Sequence, residues 1–332
     1  MEFLTIIDNT LNQALVYSFL ALSVYISLRL LDFPDLSVEG TFPLGAAITA
    51  AISKYLGLTI LSIPIAMMGG FLFGMLTAIL HVHLKLGKLL SGILVAIGLY
   101  SVSFRVLGAQ ANLYLVGNEN FFNNLRSIDN SLTSFVFGNN APVLLYPFSN
   151  ILLIILFVII IYLLIRFFKT EKGALIRFSR SDSQFFLESI GVNYKTQVII
   201  GLGIANSFAA LSGSLVAFQS GTASITMGFG IILVALVSLV IGEQIVRLFH
   251  KDLTDLWPTI LAVLLGTFTY YLIIRLVRFL NTLWQSYTGY PDPTDQWQFF
   301  NSDIKILSVI IMVLIYIFRR DKIRSINLPE RL

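Results

Sequence analysis

Nine apolar runs, most of them about long enough to cross a hydrocarbon layer, occupy most of this chain of 332 residues and leave room for little but a bundle of membrane-spanning helices. A layer about 30 Å thick takes about 20 helical residues, and every backbone polar group inside it must be paired within the protein. The runs lie roughly at Leu11–Leu31, Phe42–Leu56, Thr59–Leu80, Leu89–Leu107, Phe148–Phe168, Thr196–Phe218, Met227–Val246, Leu256–Phe279 and Ile304–Phe318. Composition agrees, since 56% hydrophobic and 12% charged residues with a mean hydropathy of +0.83 exclude an ordinary soluble globule. The expectation is an all-α polytopic membrane protein of about nine spans, between eight and ten. Residues 1–332 are read as one integral domain, because no polar stretch reaches the size of an independent one.

Glu2 and Asp8 precede the first run without a basic residue or a small-residue cleavage site, so that run is expected to stay in the membrane rather than act as a signal peptide. The chain has no cysteine, which excludes disulfides, a thiolate nucleophile and a cysteine-based metal site. Its net charge of +4 comes from basic residues set beside apolar runs rather than gathered in a nucleic-acid patch.

Those basic residues predict sidedness. Arg166, Lys169, Lys172, Arg177, Arg180 and Lys195 make the loop between the fifth and sixth runs the richest, and place it in the cytoplasm. Alternation then puts Arg29, Lys85, Lys88, Arg247, Lys251 and the tail from Arg319 to Arg331 on the same side. Only Lys54, Arg105, Arg126, Arg275, Arg278 and Lys305 fall outside. The amino terminus is expected outside and the carboxyl terminus inside.

The second run is short and follows a polar sequence, Asp32-Phe-Pro-Asp-Leu-Ser-Val-Glu-Gly-Thr-Phe-Pro43, wedged between two apolar stretches. This reads as a broken helix, with Pro34 disfavouring helix before it, Gly40 permitting unusual dihedrals and Pro43 in the first turn of a new helix. Interruptions of this kind occur where backbone lines protein or a watery cavity, and they mark transport sites. The alternative is a cytoplasmic hairpin in which Asp35 or Ser37 caps a helix and Asp35 and Glu39 are solvated. A second small, polar segment, Gly221-Thr-Ala-Ser-Ile-Thr-Met-Gly-Phe-Gly230, precedes an apolar helix in the other half and gives a faint internal repeat.

Catalytic motifs are missing. Gly87-Lys88 is followed by Leu89, and Gly191-Val-Asn-Tyr-Lys195 has the wrong spacing for a phosphate loop. There is no His-Glu-x-x-His and no Gly-x-Ser-x-Gly. The His81-Val-His83 pair lacks a third ligand nearby and reads as interfacial.

The central loop, about residues 169–195, has its own pattern: Leu175, Phe178, Phe185, Phe186, Ser189 and Ile190 recur at near-helical spacing with Arg177, Arg180 and Asp182 between them. It folds as an amphipathic helix or helix pair. Such a helix either lies on lipid or docks into a groove of a soluble partner.

At this point the chain resembles the permease subunits of bacterial ABC importers of the branched-chain amino-acid and ribose type. Asp35-Leu-Ser-Val-Glu-Gly-Thr-Phe-Pro-Leu-Gly-Ala-Ala47 is similar to that group's element at the broken second helix. Gly173-Ala-Leu-Ile-Arg177, Glu188-Ser-Ile-Gly-Val-Asn-Tyr-Lys195 and Ala209-Ala-Leu-Ser-Gly-Ser-Leu215 are similar to its coupling region. Leu89 to Ser101 fits as well, and Met227 to Glu243 looks most like a subgroup of tryptophan or tyrosine permeases. The resemblance implies a homodimeric or pseudo-dimeric permease core in the bacterial cytoplasmic membrane, with two cytoplasmic ABC ATPase subunits and an extracytoplasmic substrate-binding protein. It implies no cofactor in this chain, ATP and magnesium being held by the ATPase, and no nucleic acid as a partner. Two departures stand out: Glu39 is inserted before Gly40, which argues against a sugar, and the extracytoplasmic segment of about 108–147 is longer.

On this reading the chain has no catalytic residue and binds no metal. The substrate path would run past Asp35, Ser37, Glu39, Gly40, Thr41, Phe42, Tyr100 and Phe229, with an acid for an ammonium group, helix amides for a carboxylate and aromatics for an aromatic side chain. Coupling to the ATPase would involve Gly173, Ala174, Arg177, Phe185, Ser189, Ile190, Gly191 and Val192. The rival is an ion-coupled secondary transporter, which needs ionisable residues deep in several spans; beyond Asp35 and Glu39 this chain offers only residues near span ends, such as Arg29, Arg105, Glu243 and Arg275. A membrane scaffold is the third.

Overall fold

The computed structural model describes residues 2–115, 147–179, 184–249 and 256–288, together with Ile310. Its long helices follow the apolar runs. Helix α1 (Glu2–Val24) continues into a π-helical turn, Tyr25–Leu30. A non-helical stretch leads to α2 (Val38–Leu56), and α3 (Thr59–Val82) and α4 (Lys88–Val106) follow. After them come α5 (Pro147–Lys169), two short helices α6 (Glu171–Arg177) and α7 (Gln184–Ser189), and α8 (Tyr194–Ser220). A 3-10 turn, Ile225–Gly228, precedes α9 (Ile231–Phe249), and α10 covers Leu256–Thr288. Among the described residues seven helices are long and apolar enough to cross a membrane, so the chain is an all-α polytopic membrane protein.

Burial sorts these helices into centre and rim. The spans of α1 and α8 are 78% and 83% buried, against 28% for α3 and α4. Helices α2 and α3 lie along α8, α1 packs on α8 from another side, and α9 and α10 pair with each other and with α1. Phe19, Phe42, Phe218 and Tyr270 are fully enclosed where these helices meet. Within lipid, burial of apolar surface does not drive helices together, so close backbone approach matters more. A Cβ on Gly45 would overlap the Ala210 carbonyl, and one on Gly213 the Phe42 carbonyl, which is why α2 can lie against α8. Ser212 Oγ reaches the Val16 carbonyl of α1 at 2.9 Å, and Ser214 Oγ the Gly45 carbonyl of α2 at 3.2 Å.

The structure corrects the second span. It begins at Val38, not Phe42, so Gly40 and Thr41 are helical and Pro43 sits inside the helix rather than in its first turn. Gly40 serves packing instead of unusual dihedrals: a Cβ there would stand 2.8 Å from Leu99 Cβ and 2.9 Å from Ala96 Cα of α4. The seventh run is also divided, with its first residues in the 3-10 turn and the α-helix starting at Ile231. Past α4, β1 (Asn112–Tyr114) pairs antiparallel with β2 (Thr222–Ser224), Leu113 opposite Ala223. Residues 116–146, Arg180 and Asp182, and the expected span Ile304–Phe318 apart from Ile310 lie outside the described residues.

Candidate substrate pathway

The break between α1 and α2 starts where α1 widens. Leu31 N donates to the Ile26 carbonyl at 3.2 Å, Asp32 turns the chain with φ +51°, and Phe33 N still reaches back to the Ser27 carbonyl at 2.8 Å. Pro34 then prevents return to helix. Polar groups stranded here must find partners inside the protein.

They find them in one side chain of α8. Asn206 Nδ2 donates to Asp35 Oδ2 at 2.7 Å and to the Leu202 carbonyl at 3.1 Å. Its Oδ1 accepts from Thr41 Oγ1 at 2.8 Å and from Ser37 Oγ at 3.2 Å. The other carboxylate oxygen of Asp35 accepts from Ser37 N at 2.8 Å and Ser37 Oγ at 2.6 Å. Asp35 is 2% exposed and Ser37, Thr41 and Asn206 are fully buried, so this is a closed polar knot. Asn206 escaped notice in the sequence, although a lone asparagine in a 27-residue apolar helix was a visible signal. A Cβ on Gly92 would lie 2.8 Å from Leu36 N, which shows how closely α4 crosses the break.

On another face of the same turns of α2, the surroundings open. A cavity of 390 Å³ lies between α2, α4 and the turn before α9, lined by Glu39, Gly40, Pro43, Ile97, Tyr100 and Phe229 among others. Tyr100 and Phe229 form one wall, with ring centroids 6.0 Å apart and planes inclined by 19°. Glu39 Oε1 accepts a hydrogen bond from Gly230 N at 3.1 Å, and Gly230 holds φ +70° at the entry to α9. Of the expected pathway residues, then, Glu39, Gly40, Tyr100 and Phe229 share one cavity. Asp35, Ser37 and Thr41 are in the knot, and Phe42 faces the core, stacked on Tyr17.

The expected coupling residues gather at the end of the bundle bearing Lys169 and Lys195. Thr170 caps α6 by accepting from Gly173 N at 3.2 Å, and Gly173 lies so close to the Phe167 carbonyl that a Cβ would overlap it. Ile176 is buried in the core, whereas Phe178 is exposed. In α7, Leu187 is fully buried while Phe185 is 85% exposed, with Phe186 and Ile190 also outward. Gly191 turns the chain with φ +78°, and Asn193 Oδ1 caps α8 by accepting from Lys195 N and Thr196 N.

Nearby, Arg29 of the π-helical turn holds Glu243 of α9 with two hydrogen bonds of 2.8 and 2.7 Å. His81 contacts the Leu86 carbonyl through Nδ1 and packs edge-on against Phe33. Among the described residues no group of His, Cys, Asp and Glu has the composition of a metal site.

Residues 6–318 match the family described as "Branched-chain amino acid transport system / permease component". The chain is 31% identical to a "Tyrosine transport system permease protein" of Clostridioides difficile (strain R20291) over 92% of its length and 89% of the relative's. It is 29% identical to an uncharacterized protein of Rickettsia prowazekii (strain Madrid E), over 73% of this chain and 78% of that one. No solved structure matches significantly.

Proposed function

The chain belongs to the permease family of branched-chain amino-acid transport systems, and on that premise we propose that it is the membrane subunit of an ATP-driven importer for a small solute, an amino acid with an aromatic side chain being favoured. The observation that carries the reading is the cavity beside the broken helix, which joins an acidic side chain, two aromatic rings and an apolar lining in one space. A space of this size and lining suits a small-molecule site. The aromatic preference draws on the relative named as a tyrosine permease.

The motor is a separate polypeptide. In this proposal an ABC ATPase dimer in the cytoplasm, holding ATP and magnesium, engages the exposed Phe185 and Ile190 and the segment around Gly191 and Val192, together with Gly173, Ala174, Arg177 and Ser189 nearby. Exposed aromatic and aliphatic anchors at a basic end support such docking. The apolar outer faces of α3 and α4 meet lipid and a second permease chain, and an extracytoplasmic binding protein delivers solute at the opposite end. The protein then sits in the bacterial cytoplasmic membrane with its amino terminus outside and its carboxyl terminus in the cytoplasm.

The test is purification of the tagged full chain from its native membrane, followed by uptake of labelled tyrosine or tryptophan into proteoliposomes. A stoichiometric ATPase in the preparation and uptake that requires ATP are expected. Uptake driven by an ion gradient without an ATPase would replace this reading with the ion-coupled one.

A further inference from the structure

The aromatic wall of the cavity is built from two separate elements. Tyr100 stands on α4, and Phe229 on the strap of residues 221–230 that joins α8 to α9. The wall therefore exists only while the strap is held in place. Gly221 and Gly230, with φ +68° and +70°, bracket it in a conformation that other residues resist. Its first half is tied to the segment after α4, since Leu115 N donates to the Gly221 carbonyl at 2.8 Å and Ile225 N to the Ala111 carbonyl at 3.1 Å. Its far end is seated on the first turn of α2: a Cβ on Gly228 would overlap the Glu39 carbonyl and stand 2.9 Å from Pro43 Cδ, and Glu39 Oε1 accepts the Gly230 N–H.

These surroundings explain why a carboxylate is placed here. An amide at a helix entry has no acceptor within its own helix, and inside a membrane it must find one elsewhere in the protein. Glu39 supplies that acceptor to α9 from the first turn of α2, so its charge lies at two helix N-termini, each a positive dipole end. It takes part in a further interaction as well. The carboxylate is thus engaged by the protein itself, and its bond fixes the residue next to Phe229.

We infer that Glu39 is a positioning residue: through the Gly230 N–H it seats the strap of residues 221–230, so that Phe229 closes on Tyr100 and gives the cavity the wall against which an aromatic solute rests. The inference builds on the reading that this cavity lies on the solute path. The strap uses the reach of the Glu39 side chain, and the solute meets the rings rather than the carboxylate.

Because the chain has no cysteine, a single Thr226→Cys at an exposed strap position takes a spin label cleanly in the purified full chain in nanodiscs, and Met68→Cys on the exposed face of α3 serves as the reference. Glu39→Gln keeps the reach and loses the charge; Glu39→Asp keeps the charge and loses the reach. The label at 226 is expected to stay as slow in Glu39→Gln as in the wild type, while in Glu39→Asp its mobile fraction rises about fivefold, the equivalent of one hydrogen bond. The label at 68 should not change in either. On the same preparations, retention of labelled phenylalanine is compared with that of labelled cyclohexylalanine, its saturated counterpart. The wild type and Glu39→Gln should favour the flat ring by about two- to tenfold, the size of one ring–ring contact, and Glu39→Asp should lose most of that preference. Glu39→Gln and Glu39→Asp behaving alike at position 226 would overturn the positioning role. So would a looser strap in Glu39→Gln than in Glu39→Asp, which would mark a counter-charge instead, or a strap that loosens in Glu39→Asp with no change in ring preference. If the wild type retains neither probe, the solute-path reading falls, while the label at 226 still decides whether Glu39 seats the strap.

Discussion

Arg29 and Glu243, 214 residues apart in the chain, are joined by a two-pronged ion pair of 2.8 and 2.7 Å that fastens the π-helical end of α1 to α9. Glu243 is nearly buried, at 6% side-chain exposure, whereas Arg29 keeps 40%, so the pair is half-screened. Removing the arginine strands the more buried partner, which costs about 3 to 5 kcal/mol in fully buried pairs and less with this screening. Arg29→Ala is expected to lower the thermal midpoint of the detergent-solubilised protein clearly. The double variant Arg29→Met with Glu243→Met should recover most of the loss, and equal midpoints for single and double variants would show that the pair contributes nothing.

Asn206 is the cross-brace of the broken helix, since its amide serves Asp35, Ser37 and Thr41 at once. Asn206→Ala leaves Asp35 Oδ2 without this donor, and a buried polar group left unsatisfied costs about 1 to 3 kcal/mol. The expected outcome is a lower recovery of monodisperse protein after heating, read by fluorescence size-exclusion chromatography. Combining Asn206→Ala with Thr41→Val should cost less than the two single losses added, because both remove the same bond.

The order and approximate limits of the long helices were legible because uninterrupted apolar length is a local property, and lipid permits only helices to use it. The start of α2 was not. Pro43 reads locally as a first-turn residue, but the start is fixed at Ser37 by the turn that Asp35 makes and by Asn206, 171 residues away from Asp35. Arg29 and Glu243 were visible as charges near span ends, yet nothing in the sequence announces that they face each other. Glu39, Tyr100 and Phe229 stood out individually by type and position, whereas their convergence on one cavity depends on how α4 and the turn before α9 pack against α2. Such long-range partnerships leave no periodic trace.

Helices α9 and α10 cross on paired small residues, Ser238-x-x-x-Gly242 against Ala262-x-x-x-Gly266. A Cβ on Gly242 would overlap the Ala262 carbonyl, and one on Gly266 the Ser238 carbonyl. Gly98 of α4 is the natural control, because nothing lies within 4 Å of the position a Cβ would take. Gly242→Leu and Gly266→Leu should therefore lower the thermal midpoint strongly or abolish purification. Gly98→Ala should raise stability by about 0.5 to 1 kcal/mol, the helix-propensity difference alone.

Helix α7 carries a fully buried and a fully outward side chain within three positions. Leu187 is fully buried and Phe185 is 85% exposed, so one charge introduced at each should have opposite consequences. Leu187→Asp places an unpaired carboxylate in the packed junction with α8, and loss of folded protein is expected. Phe185→Asp presents its charge outward and should leave expression, membrane insertion and thermal midpoint close to wild type. If α7 is the knob that the ATPase grips, Phe185→Asp and Ile190→Asp should nonetheless release the ATPase in pulldowns and stop ATP-dependent uptake, since a few exposed aromatic and aliphatic anchors carry most of such an interface. A surface that only rests on lipid would give the reverse pattern. The same aspartates would then weaken membrane partition of the segment while the ATPase stayed bound, so measuring ATPase retention and insertion on one preparation decides between the two.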